Sequence, residues 1–162
     1  MILKTERCEL CLIQRADAAD VKRLYQNEEV RKYLGGVRGE ESIGVIMDEM
    51  IHSEEEAFYW VVREKGTDDF IGLVSLDRHH DGEDLELSYQ LLPSWWESGY
   101  ATEVVCAVIQ YGLCELKCGK VVAETQMANL ASCRLLERVG MRLERRVRRF
   151  GAEQAIYGKE SV

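Results

Sequence analysis

Pro93, the only proline among 162 residues, separates two kinds of hydrophobic order and so limits the folds open to the chain. Ahead of it, runs rich in β-branched and aromatic residues at Ala57–Arg63, Phe70–Asp77 and Leu85–Leu91 fit strands. They are split by the turn-rich stretches Gly66-Thr67-Asp68-Asp69 and His79-His80-Asp81-Gly82. Connections this short join antiparallel neighbours. Beyond Pro93 the apolar spacing turns helical from about Ala101 to Leu116. A strand at Lys120–Gln126, a helix at Leu130–Val139 and a final strand pair near Met141–Arg149 and Gln154–Gly158 complete the pattern.

The N-terminal third opens β then α. Glu9–Gln14 reads as a strand, and Asp17 is placed to cap a helix carrying Val21, Leu24 and Tyr25 on one side. Asn27 begins a short helix with Val30 and Leu34 inward, ended by Gly35-Gly36, where glycine supplies a positive φ. A third amphipathic helix is expected over Glu41–Ser53, with Ile43, Val45, Ile46, Met50 and Ile51 at mostly helical spacing. No repeat, linker or low-complexity stretch interrupts the chain, so one domain is expected over 1–162.

The 46% hydrophobic and 31% charged content suits a water-soluble globular protein. No apolar run approaches membrane-spanning length and no secretory pattern opens the chain, so a cytoplasmic address without a membrane partner is expected. The net charge of -8 opposes general binding to nucleic acid and favours cationic partners such as amines. Cys8-x-x-Cys11 has metal-like spacing, but Cys106, Cys114, Cys118 and Cys133 supply no second pair. The thiols are read as reduced and structural. His79 and His80 share a hairpin turn with Asp81, His52 ends a helix, and no metal site is expected from them.

Chemistry concentrates at Ser94-Trp95-Trp96-Glu97-Ser98-Gly99-Tyr100-Ala101-Thr102-Glu103, where a small-residue loop runs into a helix. The first-turn N–H groups of that helix lack helical partners and point outward, and the helix dipole favours an anion there. Gly99 and Ala101 let a pyrophosphate approach the backbone closely.

Downstream, Glu124-Thr125-Gln126-Met127-Ala128-Asn129-Leu130-Ala131-Ser132-Cys133-Arg134-Leu135-Leu136-Glu137-Arg138-Val139-Gly140-Met141 resembles the GNAT acetyltransferase pattern. In that pattern a strand ends in a splay, an Asn follows, then a helix with a Ser, a Leu-Glu-Lys/Arg segment and a Gly. The run Tyr89–Glu103 is similar to the RimJ/RimL-type branch of the same superfamily. The resemblance implies an α/β fold of mixed α+β character, with a central, mostly antiparallel mixed sheet, splayed strands and flanking helices. It implies acetyl-CoA as co-substrate, an amine acceptor and direct transfer. It implies cofactor contacts at Leu91, Trp96, Ser98, Gly99, Tyr100, Ala101, Thr102, Asn129, Ser132 and Arg134. Trp96 stands where the superfamily usually has Gln or Arg, so one polar phosphate contact is replaced by an aromatic, a feature of the branch. Arg134 is in a position to reach a cofactor phosphate.

Glu86 lies where many family members hold the carboxylate that receives the amine proton. It falls on one strand face with Ser88; the other reading is a solvent-facing strand glutamate. The tyrosine that often protonates the leaving thiolate is replaced by Leu136. Ser132, three residues after Asn129, is the substitute, against the alternative that it only bonds the helix backbone. Asn129 also suits a helix N-cap. The basic run Arg142–Arg149 reads as a strand edge, with RNA contact as the other reading. The acceptor is left open between a protein N-terminus, which the branch favours, and a small-molecule amine such as a polyamine, an amino acid or an antibiotic. A non-catalytic acetyl-CoA-binding module is the rival function, and a homodimer is among the open assemblies.

Overall fold

The β-rich runs ahead of Pro93 become neighbouring strands. A computed structural model describes residues 2–53 and 56–161. In it β3 (Phe58–Glu64), β4 (Phe70–Arg78) and β5 (Leu85–Leu91) form an antiparallel meander. One side is extended by β2 (Cys8–Leu12) and a short edge strand β1 (Ile2–Lys4). The other is extended by β6 (Lys120–Gln126), then β8 (Ala152–Glu160), with β7 (Arg142–Arg149) at the edge. Among the described residues only β5 and β6 pair in parallel, and the six other pairings are antiparallel.

Period-two alternation divides the sheet into two faces. Trp60, Val74, Leu87, Leu91, Val121 and Ala123 turn toward α4 (Tyr100–Gln110) and α5 (Leu130–Arg138). Val61, Phe70 and Leu73 turn the other way, toward α1 (Ala18–Tyr25), α2 (Glu28–Arg31) and α3 (Glu40–Ile51). Each helix buries one apolar stripe, as three-layer α/β packing requires.

The sheet opens at its centre. The β5–β6 ladder holds only Leu85 with Val121 and Glu86 with Val122. Beyond it β5 follows β4 as far as the Gly72–Leu91 pair, while β6 follows β8 through Gln126. Each strand keeps its antiparallel partner and the parallel contact is lost, leaving a wedge between Leu87–Leu91 and Ala123–Gln126. Gly72 holds the β5 side of this wedge: a Cβ there would lie 2.2 Å from the Gln90 carbonyl oxygen and 2.9 Å from the Leu91 Cα. Both are backbone atoms that a rotamer change cannot move. Gly72→Ala is therefore expected to cost about 1–3 kcal/mol by overpacking, read as a lower urea midpoint at unchanged slope; an unchanged midpoint would refute the close approach.

Several local expectations shift. Asp17 does not cap α1; a 3-10 turn at Arg15–Asp17 precedes the helix, and the Asp17 carboxylate accepts from the Gln14 N–H at 2.8 Å. Asn27 does cap α2, accepting from the Val30 N–H at 3.0 Å. Leu34, expected inward, is 42% exposed because α2 ends at Arg31 and Leu34 falls in the turn that leads to Gly35 and Gly36, both at positive φ. In α3 the buried stripe is Ile43, Met47 and Met50, and Val45 is 57% exposed. The helix expected to run from Ala101 to Leu116 is regular only to Gln110, and Tyr111–Glu115 widen into a π turn. That turn seats Tyr111 edge-on against Phe58 and Trp60, with ring centroids 5.7 and 5.5 Å away. No helix among the described residues is long and apolar enough to cross a membrane.

Candidate active site

The loop between β5 and α4 is built to present backbone amides. Gly99 sits at φ 83° as the N-cap of α4, and Glu97 before it is also left-handed at φ 62°. These reversals aim the free N–H groups of the first turn, Tyr100, Ala101 and Thr102, away from the protein. The Trp96 indole N–H donates to the Leu91 carbonyl at 2.8 Å, which fastens the loop to the end of β5. Trp96 and Leu91 thus hold the loop in place. Such a cradle of amides at a helix N-terminus fits a pyrophosphate.

Two arginines flank the cradle. Arg7 lies over the Tyr100 ring at 3.9 Å, donates to the Ser98 carbonyl at 3.0 Å and pairs with Glu103 at 2.8 Å. Glu103 would otherwise set a negative charge beside the anion site. Burial pushes its carboxyl up, but hydrogen bonds from Thr5 and from the Arg7 backbone and side chain outweigh this and hold it low. Arg138 donates to Thr102 Oγ1 at 3.1 Å. Arg134, the arginine the sequence favoured, is exposed on α5; a turn later on the helix, Arg138 is the one that touches α4. Neither Arg7 nor Arg138 carried a local signal, because Arg7 meets Glu103 across 96 residues.

On the α4/α5 face of the wedge, Asn129 caps α5 and accepts from the Ser132 N–H at 3.2 Å. Ser132 Oγ stands 2.6 Å from Tyr89 Oη, so its hydroxyl is not spent on the helix backbone. Leu136 is core, 1% exposed.

The opposite face carries the carboxylates. Glu86 is opposite Asp77 on β4, and Glu124 lies two residues beyond its β6 partner Val122. Burial, then the charges of Asp77 and Glu124, push the Glu86 carboxyl up to about 8, with Arg149 offsetting part. Glu86 is half-buried and shares its sheet face with Asp77 and Glu124. Asp77 accepts from Tyr59 Oη at 2.9 Å and is itself raised by burial. The end of α2 and the segment after it bridge the wedge: Arg31, the last residue of α2, donates to the Gln90 side chain at 3.0 Å and Gln126 Nε2 donates to the Tyr33 carbonyl at 3.1 Å. One strand on each side of the wedge is thereby tied to the same short stretch, Arg31 to Tyr33.

His79 is more than a turn residue. It is 4% exposed, and its Nε2 meets Glu124 at 2.8 Å. Ligand atoms of His79, His80, Asp81 and Glu124 lie within 4.8 Å of one another, a cluster that sequence separation concealed. Arg149 already spans its two acids, at 2.7 Å from Glu124 and 2.7 Å from Asp81. Its guanidinium holds Asp81 well below the usual carboxylate range. Arg145 and Arg149 are therefore paired with acids of their own chain, Arg145 from a half-exposed position, within the run read as a strand edge with RNA contact as the other reading.

The wedge thus has a group of carboxyls on one face, a pair of hydroxyls on the other, and an amide cradle at its end. A family model described as "Acetyltransferase (GNAT) domain" matches residues 7–142. The chain is 29% identical over 157 residues to the uncharacterised N-acetyltransferase YoaA of Bacillus subtilis strain 168, covering 92% of this chain and 87% of that one. In fold it is similar to RimL, a ribosomal L7/L12 alpha-N-protein acetyltransferase solved with coenzyme A, at TM-score 0.84, 15% identity and coverage of 99% and 98%. It is also similar to spermidine N-acetyltransferase from Vibrio cholerae, solved with CoA and spermine, at TM-score 0.81, 16% identity and coverage of 95% of each chain.

Proposed function

The chain belongs to the GNAT acetyltransferase family, and from that membership we propose that it is a single-domain enzyme carrying the acetyl group of acetyl-CoA directly to a primary amine. The observation that carries the reading is the position of Glu86 and Ser132 on opposite faces of one wedge, with the amides of residues 100–102 at its end.

In this reading the cradle holds the pyrophosphate, Arg7 and Arg138 add positive charge beside it, and the pantetheine arm lies along the unpaired edge of β5. The acetyl thioester then reaches the narrow end of the wedge. The amine enters from the Glu86 face as an ammonium ion. Its charge pulls the Glu86 proton off to solvent; the resulting carboxylate takes one proton from the ammonium, which frees the nitrogen lone pair to attack the carbonyl carbon, and the second nitrogen proton leaves to solvent as the tetrahedral adduct collapses to the amide. The carbon–sulfur bond breaks, its electron pair goes to sulfur, and Ser132 donates a hydrogen bond to the thiolate. The acidic floor of Asp77, Glu86 and Glu124 selects a cation and Arg149 limits its net charge.

We infer a protein N-terminus as the acceptor, because Tyr89–Glu103 follows the RimJ/RimL pattern and the fold matches RimL. A polyamine is the second reading, favoured by the acidic floor and the likeness to spermidine N-acetyltransferase. Calorimetric titration with acetyl-CoA, followed by thiol release on adding an Ala- or Ser-initiated peptide or spermidine, tests both. Binding with faster release on the peptide is the expected result; greater release with spermidine transfers the assignment to the polyamine, and absence of acetyl-CoA binding overturns the reading.

A further inference from the structure

Two hydroxyls meet across the wedge on the face of α4 and α5. Tyr89 Oη, from β5, and Ser132 Oγ, from the first turn of α5, are 2.6 Å apart. The serine backbone is fixed as well, since its N–H is held by the Asn129 cap at 3.2 Å. Distance alone lets either hydroxyl donate, and chemistry decides between them. A phenol is far more acidic than an alcohol and its oxygen is the poorer acceptor, so the stronger bond runs from Tyr89 to Ser132. Burial pushes the Tyr89 phenol up, with the Ser132 bond offsetting part. Tyr89 therefore stays protonated through the neutral range and is a permanent donor.

An alcohol has one proton and two lone pairs. With one lone pair accepting from Tyr89, the Ser132 O–H cannot point back along the same line and is left for whatever lies on its other side. That bond also polarises the serine, since chained hydrogen bonds strengthen one another in a buried setting. Leu136, in the position where a tyrosine would otherwise serve the sulfur, is sealed in the core, so the hydroxyl pair is what this chain offers at that end of the wedge.

We propose that Tyr89 is a positioning residue: its hydroxyl donates to Ser132 Oγ and so turns the Ser132 O–H toward the sulfur that departs from the acetyl group. This rests on the reading above in which Ser132 serves the thiolate. No proton leaves Tyr89; the electron pair of the broken carbon–sulfur bond stays on sulfur, Ser132 holds the anion by one hydrogen bond, and the thiolate takes its proton from solvent on release.

The test needs no acceptor amine. CoA is bound to the full chain and its thiolate absorbance followed against pH, with the desulfo-CoA complex subtracted to cancel tyrosinate. A hydrogen bond to the anion lowers the thiol, so bound CoA is expected to titrate about one pH unit below free CoA. Ser132→Ala should abolish that shift and Ser132→Thr, which keeps the hydroxyl, should retain most of it. Tyr89→Phe, which keeps the ring, should lose most of the shift with CoA affinity within about twofold of the parent. The double variant should do no worse than Ser132→Ala alone, since both act through one bond. A parent-like titration in Tyr89→Phe, alongside a lost shift in Ser132→Ala, overturns the positioning role and leaves the serine's role intact. A parent-like titration in Ser132→Ala overturns both, as does a bound thiol that titrates like free CoA.

Discussion

Glu86→Gln is expected to lower kcat/KM for the amine about 10²–10⁴-fold while leaving acetyl-CoA affinity within about twofold, because the carboxyl and the amide cradle occupy different ends of the wedge. Glutamine keeps the shape and loses the proton acceptor. With the Glu86 carboxyl at about 8 in the free enzyme, parent kcat/KM should climb through neutral pH and level off above about pH 8. In the variant only the climb due to the amine itself should persist. Binding of the ammonium substrate below pH 8 should also release a proton, seen as a dependence of calorimetric heat on buffer ionisation enthalpy, and Glu86→Gln should not release it. The same residue shapes stability. Its folded value lies above the ordinary 4.5, so the native state binds the extra proton, and the stability this gives is complete below pH 4.5 and lost as pH rises through 8. Over that window the parent should lose about 1.4 kcal/mol per pH unit through this group, a slope the variant lacks. Near-parental turnover in Glu86→Gln would move proton removal to another group and would leave the acidic floor a binding feature alone.

What was readable from the chain was what short-range chemistry dictates. The strand Lys120–Gln126 and the helix from Leu130 are bounded by turn residues and an Asn cap, and both appear where the pattern places them. Gly99 was readable as a small residue at the start of α4, and its left-handed φ came only with the structure. The mixed sheet with its splay was legible through resemblance rather than periodicity. What stayed hidden were pairings between distant segments. Arg7 stands 96 residues from Glu103, and Tyr89 stands 43 from Ser132; nothing in their immediate neighbours marks them as partners. His79 read as a turn residue because the acid that buries it, Glu124, belongs to a strand 45 residues away. The three-residue β1 was missed because so short an edge strand has no period to detect. Arg138 carried no mark either, because its contact with Thr102 depends on how α5 rotates against α4, a packing outcome that one helix's sequence leaves open.

Gly99→Val is expected to weaken acetyl-CoA binding about 100-fold, roughly 2.7 kcal/mol, with a much smaller loss of global stability. At φ 83° an L residue carries about 1–2 kcal/mol of strain, and a β-branched one more. Space offers no relief: a Cβ at this position would lie 3.2 Å from Arg7 Nη2. That guanidinium is held by the Ser98 carbonyl, by Glu103 and by the Tyr100 ring, so it cannot swing aside without loosening the loop it braces. The chain's cheaper course is to rotate the loop out of the left-handed region, and that rotation turns the amides of residues 100–102 away from a common point. Stability suffers less because Gly99 itself puts no side chain into the core, and the fully buried core members of α4 begin at Val104 and Val105, a turn further along. The loss should follow the phosphates. Acetyl-pantetheine, which lacks the nucleotide, should be used equally by parent and variant, whereas acetyl-CoA should lose its advantage in the variant. If instead the variant binds acetyl-CoA within about twofold of the parent, the amide cradle is not the phosphate site, and the holding must fall to the Arg138–Thr102 side of α4.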